Sequence, residues 1–93
     1  MYIVIFKATV ATLDDQYARM AKALKQLAFS EYGCLDFVAV TEGNQEIAIS
    51  YWQSLQDIRQ WKNDPLHRAA QALGKDKWYS EFNVEICETI DSR

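Results

Sequence analysis

Glu46-Ile47-Ala48-Ile49-Ser50-Tyr51-Trp52-Gln53-Ser54-Leu55-Gln56-Asp57-Ile58-Arg59-Gln60-Trp61-Lys62-Asn63-Asp64-Pro65-Leu66-His67 is the stretch that decides the fold. Its first seven residues alternate: Ile47, Ile49 and Tyr51 on one side, the small or aromatic Ala48, Ser50 and Trp52 on the other. A period of two is a strand. From Ser54 the period changes. Ser54 and Asp57 make a capping pattern, and Leu55, Ile58 and Trp61 recur at i, i+3 and i+6, the spacing of a short helix. Asp64-Pro65 then restarts the helix, with Asp as N-cap and Pro at the first helical position. Leu66, Ala69, Ala70 and Leu73 continue an apolar stripe that Gly74 closes.

Working outward, Glu42-Gly43-Asn44-Gln45 reads as a short hairpin connection. It leads back to a strand from Cys34 to Thr41, where Leu35, Phe37 and Ala39 alternate against Asp36, Val38 and Val40. Before that strand Gly33 stops a helix, which Thr12 opens as N-cap with Asp15 as its capping partner. Leu13, Tyr17, Met20, Leu24 and Leu27 form its apolar stripe. Tyr2–Val10 is a first strand with both faces apolar: Ile3 and Ile5 on one, Tyr2, Val4, Phe6 and Ala8 on the other. A last strand begins near Trp78 or Tyr79, with Phe82, Val84 and Ile86 alternating against Asn83, Glu85 and Cys87, and the tail 91–93 is expected to fray. The order is βαββαβ. Right-handed crossovers turn it into an α+β, ferredoxin-like antiparallel sheet, with the helices on one face and the second and fourth strands at opposite edges. One domain, residues 1–93, accounts for the whole length.

That topology creates a shortage of cover. Hydrophobic residues make up 49% of the 93 and aromatic residues 13%, a large apolar supply for so small an interior. Helices shield one side of the sheet, yet the first and third strands are apolar on both. A second copy supplies the missing layer most simply, so a homodimer is expected, its sheets closing face to face. A net charge of −3 with no basic run excludes an electrostatic footprint for nucleic acid. The apolar start Met1–Phe6 is too short for a signal segment, and nothing approaches the ~20 apolar residues of a membrane span. A cytoplasmic chain with no membrane partner is the expectation. Cys34 and Cys87, on separate strands at opposite edges, are expected to stay reduced. With one histidine, no metal cluster is expected within a subunit.

Few residues remain to carry chemistry. His67 is the only side chain whose ordinary pKa lies near neutrality. It sits at the boundary of its helix's buried stripe, with Gln71 one turn on. Two readings stay open: a rim histidine bonded to a backbone carbonyl or to Asp64, or a base at a pocket edge. Trp61 is either an anchor wedging its helix onto the sheet or one wall of a helix–sheet cavity. Tyr51 and Trp52 end a strand, where pockets commonly open; one of them faces the core. Trp78 and Tyr79 read as packing or dimer-contact residues. No glycine-rich loop follows a strand, so there is no phosphate or dinucleotide cradle. Asp14-Asp15 is explained by capping and the helix dipole.

The block Glu46–Trp52, Ser54–Trp61 and Asp64-Pro65-Leu66-His67, with Gly74 and Trp78-Tyr79 beyond it, resembles the antibiotic biosynthesis monooxygenase domain family. The likeness implies a dimeric α/β barrel with a cavity between helices and sheet in each subunit. Some members of that family oxidise aromatic polyketides or quinols with molecular oxygen and no cofactor; others bind and degrade haem. In the haem-degrading branch an axial histidine lies ten residues beyond the helix tryptophan, where this chain has Gln71. The same branch places an asparagine at the end of the first strand, where this chain has Lys7. Trp61 alone matches, which argues against haem. The resemblance therefore implies a cofactor-independent monooxygenase acting on a small electron-rich aromatic. His67 would be its base, Trp61 with Tyr51 or Trp52 its walls, and Asn63 or Gln71 would orient the ligand. The alternative is a non-catalytic dimeric ligand-binding or stress-associated domain using the same cavity.

Overall fold

A computed structural model describes residues 1–90, so the tail expected to fray lies outside the described residues. The elements are β1 (Tyr2–Val10), α1 (Asp15–Glu31), β2 (Asp36–Glu42), β3 (Gln45–Trp52), α2 (Leu55–Lys62) and α3 (Pro65–Leu73). A π-helical turn (Gly74–Trp78) then leads into β4 (Tyr79–Glu88). The four strands form one antiparallel sheet in the order β2-β3-β1-β4. This is the ferredoxin-like arrangement, with β2 and β4 as its edges.

Local chemistry sets the boundaries. Ser54 accepts from the Asp57 N–H at 3.1 Å, and Asp64 accepts from the Leu66 N–H at 2.8 Å with Pro65 behind it. The helical region splits in two between them, as its sequence pattern requires. α1, however, is capped by Asp14 and not by Thr12: the Asp14 carboxylate accepts from the Tyr17 N–H at 2.8 Å. The Thr12 N–H is drawn instead to the Trp78 carbonyl, and Asp14 gains Lys77 at 2.8 Å. A charged acceptor held by a cation displaces a hydroxyl as the cap. Cys34 likewise belongs to the end of α1 and not to β2. Its N–H donates to the Ala28 carbonyl across Gly33, whose φ of +74° is the left-handed stop of a helix. The β2–β3 hairpin turns on Gly43 at φ +60°, and no other residue there has positive φ, the pattern of a type II′ turn. Gly74 does not end the helical region; its φ is −60° and the chain runs on through the π-helical turn.

Register divides the sheet into two faces. Toward the helices point Val4, Phe6 and Ala8, with Glu46, Ala48, Ser50 and Trp52 of β3 and Phe82, Val84 and Ile86 of β4. The opposite face carries Ile3, Ile5, Ile47, Ile49, Tyr51, Val38 and Val40. Val38 and Val40 on that face are 49% and 58% exposed. Toward β4 the same face turns polar, since Lys7 pairs with Asn83 and Ile5 with Glu85. The helix-side core is concentrated at one end, where Val4, Ala28, Cys34, Trp52, Ile58 and Trp61 are buried together. Cys34 and Cys87 are both free thiols. No helix is long and apolar enough to cross a membrane among the described residues.

Candidate functional site

Beyond that packed end the helix side is hollow. The middle of the sheet carries Ala39, Ala48 and Ser50, and the helices opposite present Ala21 and Ala70. Small side chains on both layers leave a cavity of about 430 Å³. Its aromatic walls are Phe6, Phe37, Trp61, Trp78, Tyr79 and Phe82, and α1 adds Tyr17, Met20 and Leu24. The stripe on α1 read from the sequence is therefore largely a cavity lining; only Ala28 on that helix is fully buried.

Three of the six candidate residues meet in this cavity: Trp61, His67 and Gln71. Trp61 is both anchor and wall. Its ring lies 5.1 Å from Trp52 and 6.2 Å from Phe37, and its indole N–H donates to the Leu24 carbonyl at 3.2 Å. His67 stands edge-on to Trp61, ring centres 4.4 Å apart. Its Nδ1 is buried without a hydrogen-bond partner. No hydrogen bond joins His67 to Asp64 among the described residues; Asp64 accepts instead from the Leu66 N–H and from the Tyr32 hydroxyl at 2.7 Å. Burial, with Lys62 adding repulsion, holds the imidazole down to a pKa of about 4. His67 is thus neutral at pH 7, and its titration is moved well below the ordinary histidine range.

Tyr51, Trp52 and Asn63 do not line the cavity. Tyr51 points to the other face of the sheet, because it alternates with Trp52 and Trp52 takes the core position. Trp52 is wholly buried behind Trp61, its indole N–H donating to Ser50 Oγ at 2.8 Å. Asn63 is the exposed cap of α2, its backbone N–H bonded to the Arg59 carbonyl. Trp78 and Tyr79, read as packing or dimer contacts, lie on the cavity instead, and Trp78 meets Tyr17 edge-on with ring centres 5.2 Å apart.

Sequence reasoning passed over the one carboxylate lining the cavity among the described residues, Glu46. The alternation that placed Ala48, Ser50 and Trp52 inward also places Glu46 inward, and that was the available signal. Glu46 is 7% exposed. Its two carboxylate oxygens accept from two phenols, Oε1 from Tyr17 and Oε2 from Tyr79, the latter at 2.9 Å. Burial raises the Glu46 pKa, and the Tyr79 hydrogen bond works against that rise. The Tyr79 phenol is raised far above the ordinary range by burial and by Glu46 beside it, so it stays protonated and remains a donor. Gly74 leaves room beside this ring: a Cβ there would lie 3.1 Å from two atoms of Tyr79, close enough to shift the ring by a few tenths of an ångström.

Known proteins share this fold. YqjZ of Bacillus subtilis (strain 168), an uncharacterized protein, is 31% identical over 93 residues, covering 99% of this chain and 82% of its own. Among solved structures, SnoaB, a cofactor-independent oxygenase from Streptomyces nogalater, superposes with a TM-score of 0.80 at 11% identity. That match spans 98% of this chain and 94% of SnoaB. Rv0793 from Mycobacterium tuberculosis superposes at 0.81 with 14% identity, over 98% of this chain and 96% of its own. These two likenesses establish the shared fold. The family model described as monooxygenase af470-like matches residues 3–88. The chain belongs to that monooxygenase family, and it shares its fold with an antibiotic biosynthesis monooxygenase of known structure.

Proposed function

We propose that the chain is a cofactor-independent monooxygenase that uses molecular oxygen on a small electron-rich aromatic of the hydroquinone or anthrone kind. The observation that carries this reading is the cavity: about 430 Å³, walled by aromatic and small apolar side chains, with Glu46, Ser50, His67 and Gln71 among them and the exposed Lys22 and Lys25 and half-buried Lys62 also bordering it. Such a pocket strips water from a flat apolar ligand and leaves a few groups to handle its proton. An electron-rich aromatic reacts with oxygen once it is deprotonated. One oxygen atom then enters the ring carbon and the other leaves as water, with the substrate supplying the electrons. A proton acceptor and donors for the anion are all the protein need provide. The fold shared with SnoaB, itself a cofactor-independent oxygenase, supports the same reading. In it Trp61 is a wall, Gln71 orients the ligand, and His67 acts near the reacting ring.

The test is oxygen uptake by the purified, metal-stripped protein with a hydroquinone or an anthrone, using labelled oxygen. Label entering the product above the buffer rate supports the proposal. Saturable binding of these aromatics without turnover would move the protein to the second reading, a non-catalytic ligand-binding domain. His67 favours that second reading, since an imidazole with a pKa near 4 is a weak base.

The working unit is proposed to be a cytoplasmic homodimer joined through the sheet face opposite the helices. Ile3, Ile5, Ile47 and Ile49 with the exposed Val38 and Val40 make a patch that no element of the described chain covers. Light scattering is expected to give twice the chain mass at micromolar concentration, and Ile49→Glu is expected to give monomers. A stable monomer in the parent protein would overturn the dimer.

A further inference from the structure

The cavity has two ends, and only one holds the expected base. His67 stands on Trp61, which packs on Trp52 at the closed end. Glu46 lies at the opposite end, near the start of β3. Four residues separate Glu46 from Ser50, the bonding partner of Trp52, or about 13 Å of strand. Both groups reach the cavity, so a substrate can meet either one. Their chemistry differs.

We propose that Glu46, not His67, receives the hydroxyl proton of the substrate, and that Tyr17 and Tyr79 then turn their phenols to the oxyanion this creates. The inference rests on the reading of the cavity as a site for a hydroxylated aromatic. Three observations support it. First, the carboxylate is buried, yet it forms no salt bridge among the described residues, where the one ion pair joins Lys77 and Asp14. A buried carboxylate without a cation gains from being protonated. Second, each carboxylate oxygen has a phenol donor and a second lone pair left for a substrate hydroxyl. Third, the phenols come from different elements, Tyr17 from α1 and Tyr79 from the start of β4, and both also line the cavity. They are the phenols that hydrogen-bond Glu46; Lys22, Lys25, Lys62 and His67 line the same cavity, and none forms an ion pair with Glu46 among the described residues. Its register partners Ala8 and Thr41 carry no charge.

The step balances without a cofactor. The O–H bond of the substrate breaks, its proton forms an O–H bond on the Glu46 carboxylate, and the electron pair stays on the substrate oxygen. The cluster carries one negative charge before and after. Once Glu46 is neutral, the Tyr17 and Tyr79 hydroxyls lose their charged acceptor, and the new oxyanion is the stronger one nearby. Donors already in place for a charge that moves by one atom need little reorganisation, which is the condition for electrostatic stabilisation. His67, neutral and with its Nδ1 unpartnered among the described residues, is left to hold another polar group of the same small aromatic.

The test reads ionisation directly, apart from turnover. The dimeric protein is titrated with 4-nitrophenol, whose phenolate absorbs in the visible, and the ionised fraction of bound probe is followed against pH. In the parent protein the bound probe is expected to ionise about one unit or more below its value in buffer. Tyr79→Phe, which removes a donor, is expected to halve that shift or more. His67→Ala is expected to weaken binding while the probe that binds stays ionised. Glu46→Gln, nearly isosteric, keeps the donors but removes the internal proton acceptor. In weakly buffered solution the probe that binds this variant as phenolate is expected to release about one proton to solvent, where the parent protein retains that proton. Equal proton release by the parent and Glu46→Gln, or a shift lost in His67→Ala alone, overturns the proposal; so does a probe that binds the parent protein fully protonated. Oxygen uptake on the same samples separates the two claims. Proton retention that depends on Glu46 without uptake overturns the monooxygenase reading alone, and uptake unchanged in Glu46→Gln overturns the proton assignment alone.

Discussion

The two ends of the helix-covered sheet face are built from the same strands and behave as opposites. At one end Trp52, Ile58, Trp61 and Ala28 close on each other, and Trp52, Ile58 and Ala28 have no exposed surface. At the other, Ala39 and Ala48 face Ala21 and Ala70 across open space, and Phe82 and Val84 remain more than a third exposed. The difference is one of side-chain volume at equivalent positions. It separates two tasks: one end holds the chain folded, and the other is kept empty for a ligand and holds the titratable groups. In so small a chain that division leaves stability concentrated on few residues.

The division breaks most visibly at Trp52. Trp52→Ala would leave a void at the packed end and is expected to cost about 3–5 kcal/mol. Chemical denaturation would register this as a lower midpoint with an unchanged slope. A loss under about 1 kcal/mol would mean the packed end is not where stability resides.

A smaller effect sits at the join between the ends, on His67. Its folded pKa of about 4 lies below the ordinary 6.5. Between those values the unfolded chain binds the proton that the folded chain refuses. Stability is therefore complete above pH 6.5 and falls as the pH drops toward 4, by about 3 kcal/mol at most. Glu46 acts in the reverse sense, since its raised pKa makes stability fall as pH rises above the ordinary carboxylate range. Comparing the parent with His67→Phe cancels the Glu46 contribution. The difference between them is expected to grow on acidification from pH 6.5 to 4; a constant difference would show that His67 is solvated.

The smallest expected change tests the hollow end. Ala48→Leu would place a branched side chain in space that is already open, so stability is expected to move by less than about 1 kcal/mol in either direction. The same change is expected to abolish phenol binding as measured by titration. A destabilisation of about 2 kcal/mol or more would mean the hollow is narrower than its lining implies.

Much of this arrangement was legible in the sequence, and what was not has identifiable causes. The strand from Glu46 to Trp52 and the split helix after it carry strict periods and their own capping residues, so Ser54, Asp64 and Pro65 set their limits without help from elsewhere. The start of α1 was misplaced because Asp14 is favoured over Thr12 by Lys77, 63 residues away, and no local pattern holds that contact. Trp61, His67 and Gln71 could be brought to one cavity because they share one short segment. Tyr51 could not be told from Trp52 by type, since either aromatic can serve as core or wall; alternation placed them on opposite faces without saying which was which. The Glu46 cluster was hidden for another reason. It joins β3, α1 and the start of β4, and its polar residue sits in a strand whose neighbours drew attention for being apolar.

Gly74 leaves room for the Tyr79 ring, since a Cβ there would come within 3.1 Å of it. That tolerance turns a residue with no side chain into a gauge. A relative carrying alanine at the equivalent place must let its counterpart of Tyr79 give by a few tenths of an ångström, and a larger side chain there would press further on the same ring. The size of the residue at that place is therefore a gauge of how tightly the tyrosine wall can be held.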